Sequence, residues 1–127
     1  MKNISTIEEA RRYLSNAKQI LREKAIKEDE LYKDKKYVKM AGHTAYIGVL
    51  EALDAVFGDK KKGRKSVDWY REELSAVDKK MLALFIEAYN TLHLAMSYDG
   101  NRIVSVSNGG LDVAEKIINW AEQKTAA

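Results

Sequence analysis

The stretch that most constrains the fold is residues 78–102, DKKMLALFIEAYNTLHLAMSYDGNR, the most apolar segment of the chain. Its apolar residues recur at steps of three and four, and this spacing places them on one face of an α-helix. They are Met81, Leu82, Phe85, Ala88, Tyr89, Leu92, Ala95 and Met96. Asp78 is a good N-cap, and Gly100 can take the left-handed conformation that ends a helix. The stretch is therefore predicted to be a core helix.

Three further segments show the same spacing of apolar residues. The first runs from near the N-terminus to about Ala25, the second from about Asp34 to Gly58, and the last over residues 103–124. A shorter amphipathic element, SVDWYREEL, precedes the central helix, and the chain contains no proline. This pattern predicts an all-α protein, an antiparallel up-and-down four-helix bundle with one extra short helix, in a single domain over residues 1–127.

Two parts of the chain leave alternatives open. The charged stretch KEDELYKDKK, residues 27–36, is either a continued polar helix or a connector. In the last segment, Gly109 and Gly110 either lie within one helix or break it into a turn and a helix that begins at Leu111. Helical spacing of apolar residues continues through both glycines, so one helix is favoured.

Small residues lie on two of the predicted helices. The second helix contains Gly42, Ala45 and Gly48, and each glycine lowers helix stability by roughly 1 kcal/mol relative to alanine. A closely approaching neighbour helix would explain them. Together with Gly109 and Gly110, they either lie inside the bundle or present a flat surface to a second copy. Because small symmetric dimers are common, we expect a homodimer.

Composition and hydropathy indicate the compartment. The chain has no cysteine, and its longest apolar run, residues 81–86, has six residues, whereas a membrane span needs roughly 20. The sequence MKNISTIEEARRYL at the N-terminus lacks the apolar run of a signal peptide. We therefore expect a cytoplasmic protein that does not enter a membrane.

The net charge of +3 is concentrated in one loop. Residues 58–65, GDKKKGRK, carry five positive charges and one negative charge, so this loop is +4 and the remaining chain is −1. We call its cationic residues the basic loop, namely Lys60, Lys61, Lys62, Arg64 and Lys65. Such a loop can contact phosphates or an acidic partner. The alternative is an ordinary solvated connector.

Polar residues gather towards the C-terminal end of the central helix. The candidate ligand-binding residues are Tyr89, His93, Tyr98, Asp99 and Arg102. Tyr89 and His93 are one helical turn apart on one flank of the apolar stripe. Tyrosine, histidine and arginine offer stacking and hydrogen-bond donors to an anionic or nucleotide-like ligand. The alternative is turn chemistry, in which Asp99 and Asn101 only shape the end of the helix.

No motif for a metal, cofactor or catalytic site is present. The chain lacks the HExxH and ExxH spacings of metal sites and the GxSxG, GxxxxGK[ST] and GxGxxG spacings of hydrolases and phosphate-binding loops. Its two histidines, His43 and His93, lie on different predicted helices without a matching pattern of carboxylates. No metal, cofactor or catalytic residue is predicted, and the sequence leaves open whether the protein is an enzyme.

Two resemblances to known families bear on function. The segments YLSNAKQIL and KMAGHTAYIGVLEALDAVF resemble small bacterial HEPN-like helical bundles, some of which accompany nucleotidyltransferases. The segments SVDWYREEL and EAYNTLHLAMSYDGNR resemble an uncharacterised Bacteroidetes family of about this length. HEPN ribonucleases carry an arginine followed four to six residues later by a histidine, whereas in this chain Arg102 comes after His93. The resemblance therefore implies a bundle without that catalytic motif.

These observations lead to one preferred function and two alternatives. The preferred function is a non-catalytic HEPN-like binding or protein-interaction module in a nucleotide- or RNA-related system. The first alternative is an RNA-processing enzyme with an unrecognised site. The second is a structural homo-oligomer.

Overall fold

The computed structural model of the chain describes residues 2–126, apart from the side chains of residues 2–5 and 59. The main elements in chain order are α1 (Lys2–Ile20), β1 (Lys27–Glu28), β2 (Leu31–Tyr32), α2 (Lys35–Phe57), α3 (Val67–Val77), α4 (Lys79–Ala88) and α5 (Val104–Thr125). A π-helical turn, Leu21–Ala25, extends α1, and a short 3-10 turn, Gly58–Lys60, follows α2. α4 continues as a π-helix over Tyr89–Tyr98, which we call the π segment.

The long helices form a four-helix bundle with α3 as the extra short helix, which confirms the predicted all-α fold. α2 and α5 contact each other, and both contact α1 and the π segment. α4 packs on α5, and α3 packs on α4. The predicted apolar stripes form the core, whose largest fully buried side chains include Val38, Leu53, Leu74, Phe85, Leu92, Met96, Ile117 and Ile118.

Three helices begin at capping residues that the sequence shows. The side chain of Asp34 accepts a hydrogen bond from Lys36 N–H at the start of α2. Ser66 caps α3 through Trp69 N–H, and Asp78 caps α4 through Met81 N–H. These side chains satisfy backbone donors that have no partner within the helix. The helix starts are therefore fixed locally.

Three glycines allow helices to approach closely. A Cβ atom added to Gly42 would lie 2.5 Å from the Cβ of Met96 in the π segment, and one on Gly48 would lie 3.0 Å from a backbone oxygen of α1. Gly110 is similarly close to Thr91, and α5 runs through it without a break, as favoured from the sequence. These glycines lie inside the bundle, so they do not form the flat surface suggested for a second copy. The homodimer itself stays a prediction.

A two-stranded hairpin joins α1 to α2 in the stretch that the sequence left open. β1 and β2 are antiparallel, and Asp29 in the turn has a positive φ of 56°, which aspartate tolerates better than most residues. Tyr32 N–H donates to the Arg102 carbonyl, and Val104 N–H donates to the Glu30 carbonyl. The hairpin therefore holds the connection between the π segment and α5.

Within residues 2–126, no helix combines the length and the apolar character that crossing a membrane requires. Even the 22-residue α5 carries charged residues on its outer face, including Asp112, Glu115 and Lys116.

Candidate ligand-binding cleft

A cleft of about 620 Å³ lies between α2, the end of the basic loop, the start of α3 and the π segment. Its volume is in the range of roughly 300 to 1,000 Å³ that small-molecule sites occupy. The side chains that matter to its chemistry are Tyr46, Glu51, Asp54, Arg64, Lys65, Tyr70, Tyr89 and His93.

Three aromatic rings meet on one wall of the cleft, and we call them the ring cluster: Tyr46, Tyr89 and His93. The imidazole of His93 stacks on the ring of Tyr46 with centroids 5.0 Å apart, and the ring of Tyr89 is 5.1 Å away from it. Tyr89 and His93 share one face of the π segment. Tyr46 lies one turn after Gly42 on α2, and the close helix contact at Gly42 brings the two faces together.

Two polar atoms of the ring cluster are buried without a partner. Neither the Tyr46 hydroxyl nor His93 Nδ1 has a hydrogen-bond partner among the described residues. Such an unpaired buried group costs about 1 to 3 kcal/mol. Burial raises the pKa of the Tyr46 hydroxyl well above its ordinary value, and the neighbouring Tyr89 raises it further. The hydroxyl therefore keeps its proton and can donate a hydrogen bond.

A hydrogen bond and an ion pair, both made by Asp54, hold the end of the basic loop at the cleft. The buried Tyr70 donates its hydroxyl proton to Asp54 Oδ1 over 2.7 Å. Lys65 Nζ lies 3.7 Å from the same oxygen and 5.8 Å from the ring centroid of Trp69. Burial and the bond to Asp54 both raise the pKa of the Tyr70 hydroxyl. Asp54 thus holds the end of the basic loop against α2.

Glu51 and Arg64 are charged side chains of the cleft that take no part in the contacts among Asp54, Tyr70 and Lys65. Glu51 is half-buried and makes no hydrogen bond or ion pair within the described part of the chain. Burial raises the pKa of its carboxyl group, and the carboxylates of Asp54 and Glu9 add to the increase. Arg64 is exposed and has no ion pair among the described side chains. Both groups are therefore available to a ligand.

The structure separates the ligand-binding residues that the sequence suggested. Tyr89 and His93 line the cleft. Tyr98 is 76% exposed, and Asp99 and Arg102 are exposed near the hairpin, so these three residues do not line it. The five residues thus do not form one site.

Only some residues of the basic loop line the cleft. Arg64 and Lys65 line the cleft together with the ring cluster. Lys60 instead forms an ion pair with Glu73, with its Nζ 3.0 Å from Oε1. Lys61 and Lys62 are exposed and do not line the cleft.

Four cleft residues were absent from the sequence-based candidates: Tyr46, Glu51, Asp54 and Tyr70. The first three lie on α2 beside its apolar stripe, at steps of five and three residues. The sequence gives little signal for them, because many helices carry polar residues at the edge of a stripe. Tyr70 shares a helix face with Val67 and Leu74, and this spacing is typical of a core residue.

No group of three or more histidine, cysteine, aspartate or glutamate side chains in the described residues is arranged to hold a metal ion. Of the two cleft carboxylates, Asp54 has Lys65 of the basic loop as its cationic partner. The side chains that line the cleft offer stacking, hydrogen bonding and ion pairing.

Comparisons with known proteins agree with one of the two resemblances. No curated protein is significantly similar to the chain. A solved structure, described as a protein of unknown function from Dyadobacter fermentans, has 51% sequence identity and a TM-score of 0.91, and the match covers 99% of this chain and 100% of that one. Dyadobacter belongs to the Bacteroidetes, and neither this description nor that of the matching family mentions HEPN. Residues 5–123 match the family described as "Domain of unknown function (DUF5618)", and the chain belongs to that family.

Proposed function

We propose that the protein is a non-catalytic binding module whose cleft takes a nucleotide-like ligand, with a planar ring and an anionic group. The observation that carries this proposal is the pair of unpartnered buried atoms, the Tyr46 hydroxyl and His93 Nδ1, in the ring cluster of the cleft. A protein that leaves two polar groups unsatisfied at one place loses stability there. A ligand that supplies the missing hydrogen bonds accounts for that loss.

The ring cluster suits the planar part of such a ligand. Nucleobases stack on tyrosine and histidine rings, and each stacked base contributes about 1 to 3 kcal/mol. Tyr89 is half-buried and therefore keeps part of its ring open to the cleft. The Tyr46 hydroxyl supplies a donor beside the same surface.

The basic loop suits the anionic part. The guanidinium group of Arg64 can bind a phosphate through two parallel hydrogen bonds. Ser66 and Val67, at the N-terminus of the 11-residue α3, line the cleft beside it, and a helix N-terminus favours negative charge. The resemblance to HEPN-like bundles, some of which accompany nucleotidyltransferases, also supports a nucleotide-related role.

The first test is a thermal-shift panel of nucleoside monophosphates and short single-stranded RNA. A ligand at 100 times its dissociation constant should stabilise the protein by about 2.7 kcal/mol. Arg64→Ala should weaken the best ligand roughly tenfold, because a charged hydrogen bond is lost. Arg102→Ala is the matched control, since Arg102 lies outside the cleft, and it should bind like the wild type. A loss of binding in Arg102→Ala and not in Arg64→Ala would mean that the ligand binds near the β1–β2 hairpin rather than in the cleft.

The second test is Tyr46→Phe, which removes an unpartnered hydroxyl and keeps the ring. We expect the free protein to gain about 1 kcal/mol of unfolding free energy, because one unsatisfied buried polar atom is removed. The same variant should bind the best ligand of the panel more weakly than the wild type. Urea unfolding and calorimetric titration measure the two effects. A variant that is less stable, and that binds normally, would assign the hydroxyl a structural role.

A further inference from the structure

Glu51 is a cleft residue in an environment that disfavours a carboxylate. It lies five residues after Tyr46 on α2, a rise of about 7.5 Å along the helix axis, and both residues line the cleft. Two other carboxylates, those of Asp54 and Glu9, are its electrostatic neighbours. One cation of the cleft, Lys65, is already within 3.7 Å of Asp54. A half-buried carboxylate without a donor or a cation lowers stability.

A ligand that satisfies Glu51 must bring hydrogen-bond donors to it. An ionised carboxylate accepts through two oxygens, so two parallel N–H groups in one plane match it best. Among nucleobases, guanine has such an edge, formed by the N1 proton and the exocyclic amino group. Adenine has a hydrogen-bond acceptor at N1, which a carboxylate repels.

We propose that the cleft selects nucleotides with a guanine-type base, whose donor edge binds Glu51 while the ring packs on the ring cluster and the phosphate lies at Arg64. This inference rests on the proposed function, because it assigns the ligand of the same cleft. The charges agree with this orientation, since Asp54 is paired with Lys65 and leaves Glu51 and Arg64 as the unpaired groups of opposite sign. A ligand with donors at one end and an anion at the other complements both.

Calorimetric titration with three matched nucleotides tests the assignment. Guanosine monophosphate has both donors, inosine monophosphate has the N1 proton alone, and adenosine monophosphate lacks that proton. The wild type should bind them in that order, with a difference of roughly 10- to 100-fold between guanosine and adenosine monophosphate, as expected for hydrogen bonds to a charged group. In Glu51→Gln, guanosine monophosphate should bind less than about threefold more tightly than adenosine monophosphate, because the amide presents only one acceptor.

The outcomes separate the two proposals. Glu51→Gln removes an unfavourable charge, so its melting temperature should equal or exceed that of the wild type, and lost binding then does not reflect unfolding. If the wild type binds none of the three nucleotides and nothing else in the thermal-shift panel, the proposed function itself is wrong. If adenosine monophosphate binds as tightly as guanosine monophosphate, or if Glu51→Gln keeps the guanine preference, nucleotide binding stands and the role of Glu51 is overturned.

Discussion

Replacing Gly42 with alanine should lower the free energy of unfolding by about 3 kcal/mol, near the upper end for one added methyl group in a packed core. The added Cβ would lie 2.5 Å from the Cβ of Met96, 2.7 Å from the carbonyl oxygen of Leu92 and 2.9 Å from the backbone nitrogen of Ser97. Two of these atoms belong to the backbone of the π segment, so a side-chain rotation cannot relieve the overlap. Urea unfolding followed by circular dichroism measures the change.

Gly109→Ala is the matched control for this substitution. Gly109 is also helical, yet no atom outside its local helix lies within 4 Å of an added Cβ. The same chemical change should therefore stabilise the protein by about 0.5 to 1 kcal/mol through helix propensity and a less flexible unfolded chain. If Gly42→Ala were as stable as Gly109→Ala, α2 and the π segment would not be in close contact in solution.

The contact at Gly42 also determines the geometry of the cleft. Tyr46 follows Gly42 by one turn, and the rings of Tyr46 and His93 come from the two helices that meet there. A Gly42→Ala protein that remains folded should hold these rings farther apart. Its affinity for the best nucleotide should therefore fall even where its circular dichroism spectrum still shows the helical content of the wild type. That result would connect helix packing directly to binding.

The fold could be predicted because its determinants are local. Apolar residues at helical spacing identify the buried faces, and the predicted N-cap Asp78 is confirmed. Asp34 and Ser66 cap α2 and α3 in the same way. The hairpin could not be predicted, because strands of two residues show no alternation of apolar and polar residues. The π segment also has no distinct signal, since buried residues four apart, such as Leu92 and Met96, suit an α-helix equally well.

The candidate site was predicted only in part, because it is assembled from distant parts of the chain. Tyr89 and His93 could be identified from one helix. Their partner Tyr46 lies 43 residues before Tyr89, and the contact depends on how closely α2 approaches the π segment. The sequence placed Tyr98 and Arg102 with them by proximity along the chain, but the π segment leaves those residues at the hairpin end.

The contribution of Asp54 to the position of the basic loop can be tested by substitution. Asp54→Ala should lower the free energy of unfolding by about 2 kcal/mol, because the Tyr70 hydroxyl is then buried without its acceptor. The same substitution removes the anion that holds Lys65. Ligand affinity should therefore fall as well, since the loop that carries Arg64 loses its anchor. Urea unfolding and calorimetric titration of one variant give both values.

A double-mutant cycle with Tyr70→Phe shows whether the loss of the buried hydrogen bond is the reason that Asp54→Ala lowers the free energy of unfolding. Tyr70→Phe removes the donor, so Asp54→Ala should cost clearly less in that background than in the wild type, with a coupling of about 1 to 2 kcal/mol. The remaining cost of Asp54→Ala reports the ion pair with Lys65, whose side chain is 11% exposed. That remainder should decrease as salt concentration rises, because ionic strength weakens the attraction between charges. Strict additivity of the two substitutions would mean that the Tyr70 hydroxyl and the Asp54 carboxylate do not interact in solution.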